Sequence, residues 1–428
     1  MKTIYRQLFF AAILVAAVAA GSMVANAQGA DPCENATTAY GEWTKLFELK
    51  DLASRKATIE KGKDFVSKYS NCEATKDGAK FISDSLPGLE ENYRKLVARA
   101  EENALLKRFD EGMKAKNWDE VYTVGKEILA KYPEKYRAAL LVLGSIGLDE
   151  TDKTPSVTKY NDETIRYAKQ AIADIEAGKT FSAWGVAPFV YKGKDDALGW
   201  MNFTVGYILF KDKKNKKDAA AYMYKASQIA FDKKSDPVLF STIGSFYVDD
   251  LNKSILELKA LPAPVETDTP EVKQQKVDAI KDMTGMVNGA AERVMDARAR
   301  AYKAAPVTPT AKAFRDSLKA SFKEIYDIRF QKPDTSTPTV DAWIDMAAAK
   351  PLVNPSTPIA PVQDAEKAPV TTATPGPGTP VTVKPSTPAG VKPSPAVTTP
   401  VKPSAPGAKP VPASAKPAVA VVKKKKSR

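Results

Sequence analysis

The chain has 428 residues, with 64 basic and 51 acidic side chains, a formal net charge of +13 and no histidine. A chain of this length can bury a substantial core or fold as two units. The absence of imidazole removes the commonest general base, the commonest zinc ligand and the histidine-assisted nucleophiles. We therefore expect a non-catalytic protein without a metal or cofactor, and the alternative is an enzyme that uses carboxylates.

The first segment, residues 1–27, has the pattern of a signal peptide. Lys2 and Arg6 precede an apolar run at residues 8–20, and the tripeptide Ala-Asn-Ala at 25–27 supplies a small-x-small cleavage site. The apolar run of about 13 residues is shorter than the roughly 20 that span a bilayer, which favours cleavage over an uncleaved anchor. The sequence thus predicts an exported protein in the periplasm or at the surface of a bacterium.

Cys33 and Cys72 are the two cysteines of the chain. An oxidising exported compartment favours joining them. A redox or metal pair is less favoured, because the two are far apart in sequence and have no third ligand nearby. We expect a disulfide that connects two helices within an N-terminal region of helical hairpins, residues 28–102.

Apolar residues recur at intervals of three and four through most of the chain, and alternating, strand-like runs are few. This spacing predicts an all-α fold. The connections are rich in Asn, Asp, Gly, Lys and Pro, which stop helices. The predicted helices are 37–50, 52–69, 88–116, 118–132, 134–148, 162–177, 196–210, 217–231, 237–258, 271–304 and 312–330, with a short helix at 340–350 that we expect to dock on the folded body.

An internal echo links two of these helices. The sequence GKDFVSKYS at residues 62–70 returns as GKEILAKYP at residues 125–133, with Gly, an apolar residue and Lys-Tyr at matching positions. Small residues at such spacing let one helix approach its neighbour closely, and the bulky residues fill the space between layers. Helices of similar length joined by short turns then predict stacked helical hairpins.

Residues 117–133 resemble the second helix of a tetratricopeptide repeat, with Trp118, Gly125 and the closing Pro133 at the positions that carry the likeness. The resemblance implies a TPR-like α-solenoid of stacked helical hairpins in the body, residues 103–350. It also implies an extended concave surface that holds protein segments without a cofactor. The alternative is an irregular helical domain whose apolar stripes are only core.

An aromatic loop lies between two predicted helices at residues 180–192. Exposed aromatic side chains on a loop would anchor a protein partner, because they bury a large area at a small cost in entropy. Burial of the loop over the body is the favoured alternative, since apolar side chains are usually inside. The candidate partner-binding residues are Phe181, Trp184, Phe189 and Tyr191.

Other patterns in the body point to packing. Gly285 and Gly289 lie four residues apart on the predicted helix 271–304, a spacing typical of close helix packing. Adjacent acidic residues on helices point in different directions, so we interpret them as solvated faces. The sequence has no phosphate-loop, dinucleotide or calcium-loop pattern.

The last segment, residues 351–428, is predicted to be a disordered tail rich in proline and lysine. Twenty of the 31 prolines follow Phe330, and from Ala368 onward ten residues are basic and none is acidic. Such a composition cannot bury enough apolar surface to fold. The cluster Lys423, Lys424, Lys425 and Lys426 is a candidate contact for an anionic membrane or cell-wall polymer, and a solubilising linker without a target is the alternative.

These patterns together predict an exported, non-catalytic helical scaffold that binds a protein or peptide in the bacterial cell envelope. Export makes an anionic envelope surface a better partner for the basic tail than nucleic acid. One alternative is a structural spacer whose tail alone does the binding, and another is a carboxylate-dependent enzyme or enzyme subunit.

Overall fold

The computed structural model describes residues 31, 33–331, 333, 335–347 and 349–364. Within these residues the chain forms thirteen α-helices, two short 3-10 turns and one pair of two-residue strands, which confirms the all-α prediction. Contacts divide the chain into two compact units, Met1–Lys131 and Tyr132–Arg428, whereas the repeat pattern placed a boundary after residue 102. The predicted signal peptide, residues 1–27, and the predicted tail beyond residue 364 lie outside the described residues.

The first unit consists of four helices, each packed against the next. Trp43, which is 1% exposed, lies at the centre of its core and donates a hydrogen bond from Nε1 to the backbone oxygen of Thr58 at 2.9 Å. A Cβ atom on Gly62 would lie 2.9 Å from that same Nε1, so the glycine allows the indole to approach. The helices are α1 (Ala36–Glu48), α2 (Leu52–Tyr69), α3 (Lys76–Ala115) and α4 (Trp118–Lys131).

Helix α3 differs from the sequence prediction because it begins twelve residues before residue 88 and continues through Pro87. A proline inside a helix removes one backbone hydrogen bond and predicts a boundary. Ala79 and Ile82 are buried in the core around Trp43, and this packing holds the first turns of α3 in place. Tertiary packing therefore outweighs the local cost of the proline.

The predicted disulfide between Cys33 and Cys72 is confirmed. Cys33 lies in the turn before α1, and Cys72 lies in the connection between α2 and α3. The bond thus connects the beginning of the first helical hairpin to the end of its second helix.

The second unit continues the same pattern of sequential helix packing, and its largest core cluster lies among α8 to α13. Helix α13 returns to pack on α11, with Ile344 and Ala347 buried. No helix among the described residues is both long and apolar enough to span a membrane. The elements are α5 (Ala139–Leu143), α6 (Ile146–Thr151), α7 (Asn161–Glu176), β1 (Gly185–Val186), β2 (Phe189–Val190), α8 (Lys194–Lys211), α9 (Lys216–Gln228), α10 (Pro237–Ala260), α11 (Pro270–Ala304), α12 (Lys312–Arg329) and α13 (Val340–Ala347).

The single helix predicted at residues 134–148 is two short helices, α5 and α6, which meet at Gly144 and Ser145. A Cβ atom on Gly144 would lie 2.9 Å from the backbone of Ala168 in α7. The break therefore lies where the backbone of α7 approaches Gly144 closely.

Candidate functional site

The aromatic loop of the second unit folds into a small β-hairpin. Strands β1 and β2 pair antiparallel, with Gly185 opposite Val190. Gly185 has a φ of +99°, and a Cβ atom there would lie 1.9 Å from the backbone oxygen of Phe189. Only glycine accommodates both conditions, so the turn depends on this residue.

The first arm of the hairpin is attached through two aromatic rings and one arginine. The rings of Phe181 and Trp184 stack with their centroids 5.1 Å apart, and the guanidinium of Arg137 lies 5.8 Å from the centre of the Phe181 ring. Arg137 also donates to the backbone oxygen of Thr180 at 2.5 Å and forms an ion pair with Asp174 at 3.2 Å. The Arg137 side chain is only 5% exposed, so these interactions are made largely out of water.

The second arm is attached through Tyr191. Its hydroxyl is hydrogen-bonded to the hydroxyl of Ser145, which in turn donates to the backbone oxygen of Leu141 at 2.6 Å. Because the Ser145 proton is used in that bond, Tyr191 is the donor to Ser145. Burial raises the pKa of the Tyr191 phenol well above its ordinary range. The next residue, Lys192, donates its backbone N–H to Asp196 at 2.9 Å.

Of the four predicted partner-binding residues, Phe181, Trp184 and Tyr191 therefore lie at the base of the hairpin, whereas Phe189 lies beside the turn, opposite Val186. Phe181 is buried, and the other three aromatic residues are half-buried against the unit. The exposed apolar residues are instead Val186 and Val190, which are 45% and 64% exposed, with Ala187 and Pro188 between the strands. The sequence analysis missed these small residues because it considered only the large aromatic rings as partner anchors. The pattern Gly-Val-Ala-Pro-Phe-Val at residues 185–190, two short apolar runs around a proline turn, was the signal for an exposed hairpin tip.

The residues that directly follow the hairpin in sequence line an open depression of about 740 Å³. It is lined by residues 192–196 and 230–232, and Lys192 is paired there with Asp232. A charged border beside an apolar tip is the usual arrangement of a protein–protein contact.

The burial of the Tyr191 phenol predicts a dependence of stability on alkaline pH. Because the folded chain holds the phenolic proton more tightly than the unfolded chain, the stabilisation is present below the ordinary tyrosine pKa of about 10 and is lost as the pH rises through the raised pKa. We expect Tyr191→Phe to lower the free energy of unfolding at neutral pH by about 1 kcal/mol, the typical net value of one hydrogen bond. Chemical denaturation between pH 7 and 11 measures this.

The wild-type curve should fall more steeply above pH 10 than the Tyr191→Phe curve. Tyr207 and Tyr247, whose pKa values burial also raises, contribute equally to both proteins and cancel in the difference. Parallel curves would show that the pKa of Tyr191 is not raised in the folded unit, and an equal free energy of unfolding at pH 7 would show that its hydrogen bond does not stabilise the unit.

A second feature of this unit is an extended segment, residues 349–364, which we call the strap. The proline content assigns residues 351–364 to the disordered tail, but the structure places them along α11. The strap runs antiparallel to this helix, from Arg300, which donates to the backbone oxygen of Lys350, to Lys281, whose backbone oxygen accepts from Gln363.

Most bonds between the body and the strap engage the strap backbone. Arg293 donates to the oxygens of Thr357 at 2.6 Å and Pro358 at 2.5 Å. Tyr247 of α10 donates to the backbone oxygen of Val353 at 2.8 Å. Such bonds need only carbonyl acceptors, which proline retains.

The C-terminal end of the strap is bound to the surface of α11 and to α12. The backbone N–H of Val362 donates to the oxygen of Gly285 at 2.8 Å. Arg329 of α12, with a side chain 4% exposed, makes two hydrogen bonds to the carboxylate of Asp364, at 2.7 and 3.0 Å. Its Nε also donates to Glu292 at 2.9 Å.

The two glycines of α11 pack against the strap and not against another helix, which corrects the sequence interpretation. A Cβ atom on Gly289 would lie 2.1 Å from the backbone oxygen of Ala360, and one on Gly285 would lie 2.6 Å from the side chain of Gln363. Between them, Asn288 donates to the backbone oxygen of Val362 at 3.2 Å. We define the strap site as Tyr247, Gly285, Asn288, Gly289, Arg293 and Arg329.

The remaining candidate residues, Lys423 to Lys426, lie outside the described residues. Across the part of the chain that the structure describes, no group of three or more acidic or cysteine side chains is placed to hold a metal ion. Comparisons with protein families, with curated proteins and with solved structures found no match for this chain. The hairpin and the strap site are therefore interpreted from their own geometry.

Proposed function

We propose that this protein is an exported, non-catalytic helical scaffold of TPR-like hairpins that binds another protein in the bacterial cell envelope. The disulfide supports export, because such bonds persist in oxidising compartments. The TPR-like assignment rests on the segment at residues 117–133 and on the internal echo, whose members Gly62 and Gly125 lie on α2 and α4, both packed against α3.

The observation that carries the proposal is the anchored hairpin with an exposed apolar tip. Val186 and Val190 face solvent, while Arg137 and Tyr191 hold the two arms below them. A tip fixed in this way loses little conformational entropy when a partner covers it, and so more of the apolar burial appears as affinity. The paired Lys192 and Asp232 at the side would then form part of a polar rim.

The proposal is tested by site-specific photocrosslinking in the full chain, exported in its native bacterium. With p-benzoylphenylalanine at Val186, we expect a discrete crosslinked protein. Val307 is the matched control, because it is an exposed valine outside the hairpin, 85% accessible to solvent. The crosslink should be absent at that position.

A second substitution tests whether the crosslink depends on the apolar tip. Val190→Glu places a charge in the apolar contact, where burial without a partner costs about 2 kcal/mol or more, and the adduct should fall by at least about tenfold. The same adduct from Val307, an adduct insensitive to Val190→Glu, or no adduct at all would contradict the proposed function.

A further inference from the structure

The strap lies in its site as a bound peptide would. Its own side chains contribute little burial: Leu352 is buried, Ile359 and Val362 are half-buried, and most of the others are exposed. The attachments are mainly hydrogen bonds to backbone groups. A segment with few buried apolar contacts opens at a lower free energy than the helices beneath it.

The surface of α11 under the strap accommodates an extended chain. Gly285 and Gly289 leave room for a backbone there, and glycine is less favourable than alanine within a helix, so the close approach has a cost in helix stability. Three arginines around this surface, Arg293, Arg300 and Arg329, donate to strap carbonyls or to the Asp364 carboxylate. These arginine donors favour a ligand that presents exposed carbonyl oxygens followed in sequence by one acidic side chain.

We propose that the strap site is a peptide-binding site whose ligand in trans is an extended, proline-containing protein segment that ends in a carboxylate, and that the strap is its intramolecular competitor. This inference rests on the proposed function and names the class of partner that the scaffold takes at this site. Proline suits the site because it favours extended backbone and needs no partner for a missing N–H. The strap, tethered next to the site, competes at an effective concentration on the order of millimolar.

The test uses a fluorescein-labelled synthetic peptide with the sequence of residues 353–364 as the probe and the full chain as the receptor. The strap is weakened by Ile359→Asp with Val362→Pro, which removes an apolar contact and the N–H that bonds to Gly285. Fluorescence anisotropy should show that this variant binds the probe at least about tenfold more tightly than the wild-type chain, since the competitor is gone. Adding Gly289→Ala should reverse the gain.

The tail offers a matched control peptide. Pro-Ser-Thr-Pro at residues 355–358 recurs at 385–388, but in residues 383–394 alanine stands in the position of Ile359 and serine in that of Asp364. We expect this peptide to bind at least about tenfold more weakly than the probe, because it lacks the apolar contact and the charge-assisted bonds to Arg329.

A milder variant, Asp364→Asn, keeps the apolar contacts of the strap and guards against misfolding of the double variant. It should give an intermediate gain in probe affinity. Equal binding by the wild-type and both weakened chains, or equal binding of the two peptides, would overturn the inference. That result would leave the hairpin crosslink as an independent test of the scaffold function.

Discussion

Loss of the Cys33–Cys72 bond is expected to destabilise the first unit by about 4 kcal/mol, because the bond closes a loop with a sequence separation of 39. In the chain-entropy account, the cross-link acts by restricting the unfolded state, and its effect grows with the length of the loop. Hydrogen exchange of the α2 amides, followed by mass spectrometry in Cys33→Ser, reports the loss as faster exchange throughout this helix.

The second cysteine provides the control. Cys72 is 2% exposed and Cys33 is half-buried, so Cys72→Ser also changes a buried contact. If the cross-link dominates, the two single variants and the double variant lose similar amounts, because the bond can be removed only once. A loss below about 1 kcal/mol in Cys33→Ser would contradict the chain-entropy account for this loop.

The helices of this chain could be predicted from sequence where local signals and packing agree. Helix α2 has the predicted bounds, 52–69, because Asp51 caps its first turn by accepting from the backbone N–H of Ser54 and because its apolar face has helical spacing. At Pro87 and Gly144, whether the helix continues or breaks depends on which residues from distant parts of the sequence pack against it. The core around Trp43 keeps α3 intact, whereas the close approach of α7 coincides with a break.

The strap could not be predicted from composition, since its proline content is that of a disordered tail. Composition arguments count apolar area, whereas this segment is held mainly by arginine side chains that bond to carbonyls. Those arginines lie more than 40 residues before the strap. The available signal was the pair Gly285 and Gly289, whose spacing marks close approach but does not say whether a helix or an extended chain approaches.

The aromatic loop was located from sequence, but which of its side chains face solvent could not be predicted. Four aromatic residues between positions 180 and 192 indicated the loop, and the favoured expectation was burial over the body. Which rings turn inward depends on Arg137, which lies just before α5, and on Ser145, which lies at the break between α5 and α6. The exposed tip at Val186 and Val190 is therefore a tertiary property.

Gly289→Ala is expected to release the strap while stabilising the helix that carries the substitution. The added Cβ atom would lie 2.1 Å from the backbone oxygen of Ala360, a distance that cannot be maintained, so the strap must move away from α11. Alanine also favours the interior of α11 over glycine by about 1 kcal/mol. Exchange of the Val362 amide should therefore accelerate by at least about tenfold, while the amides of α11 remain as protected as before.

Gly88→Ala in α3 is the matched control, because a Cβ atom there meets no atom within 4 Å. It supplies the same gain in helix propensity without the clash, so exchange in the strap should not change. Faster exchange in the strap, with undiminished protection of α11, separates a steric effect of Gly289→Ala on the strap from a general loss of stability. Unchanged exchange at Val362 would mean that the strap accommodates the methyl group in place, and in that case Gly289 would not control access to the strap site.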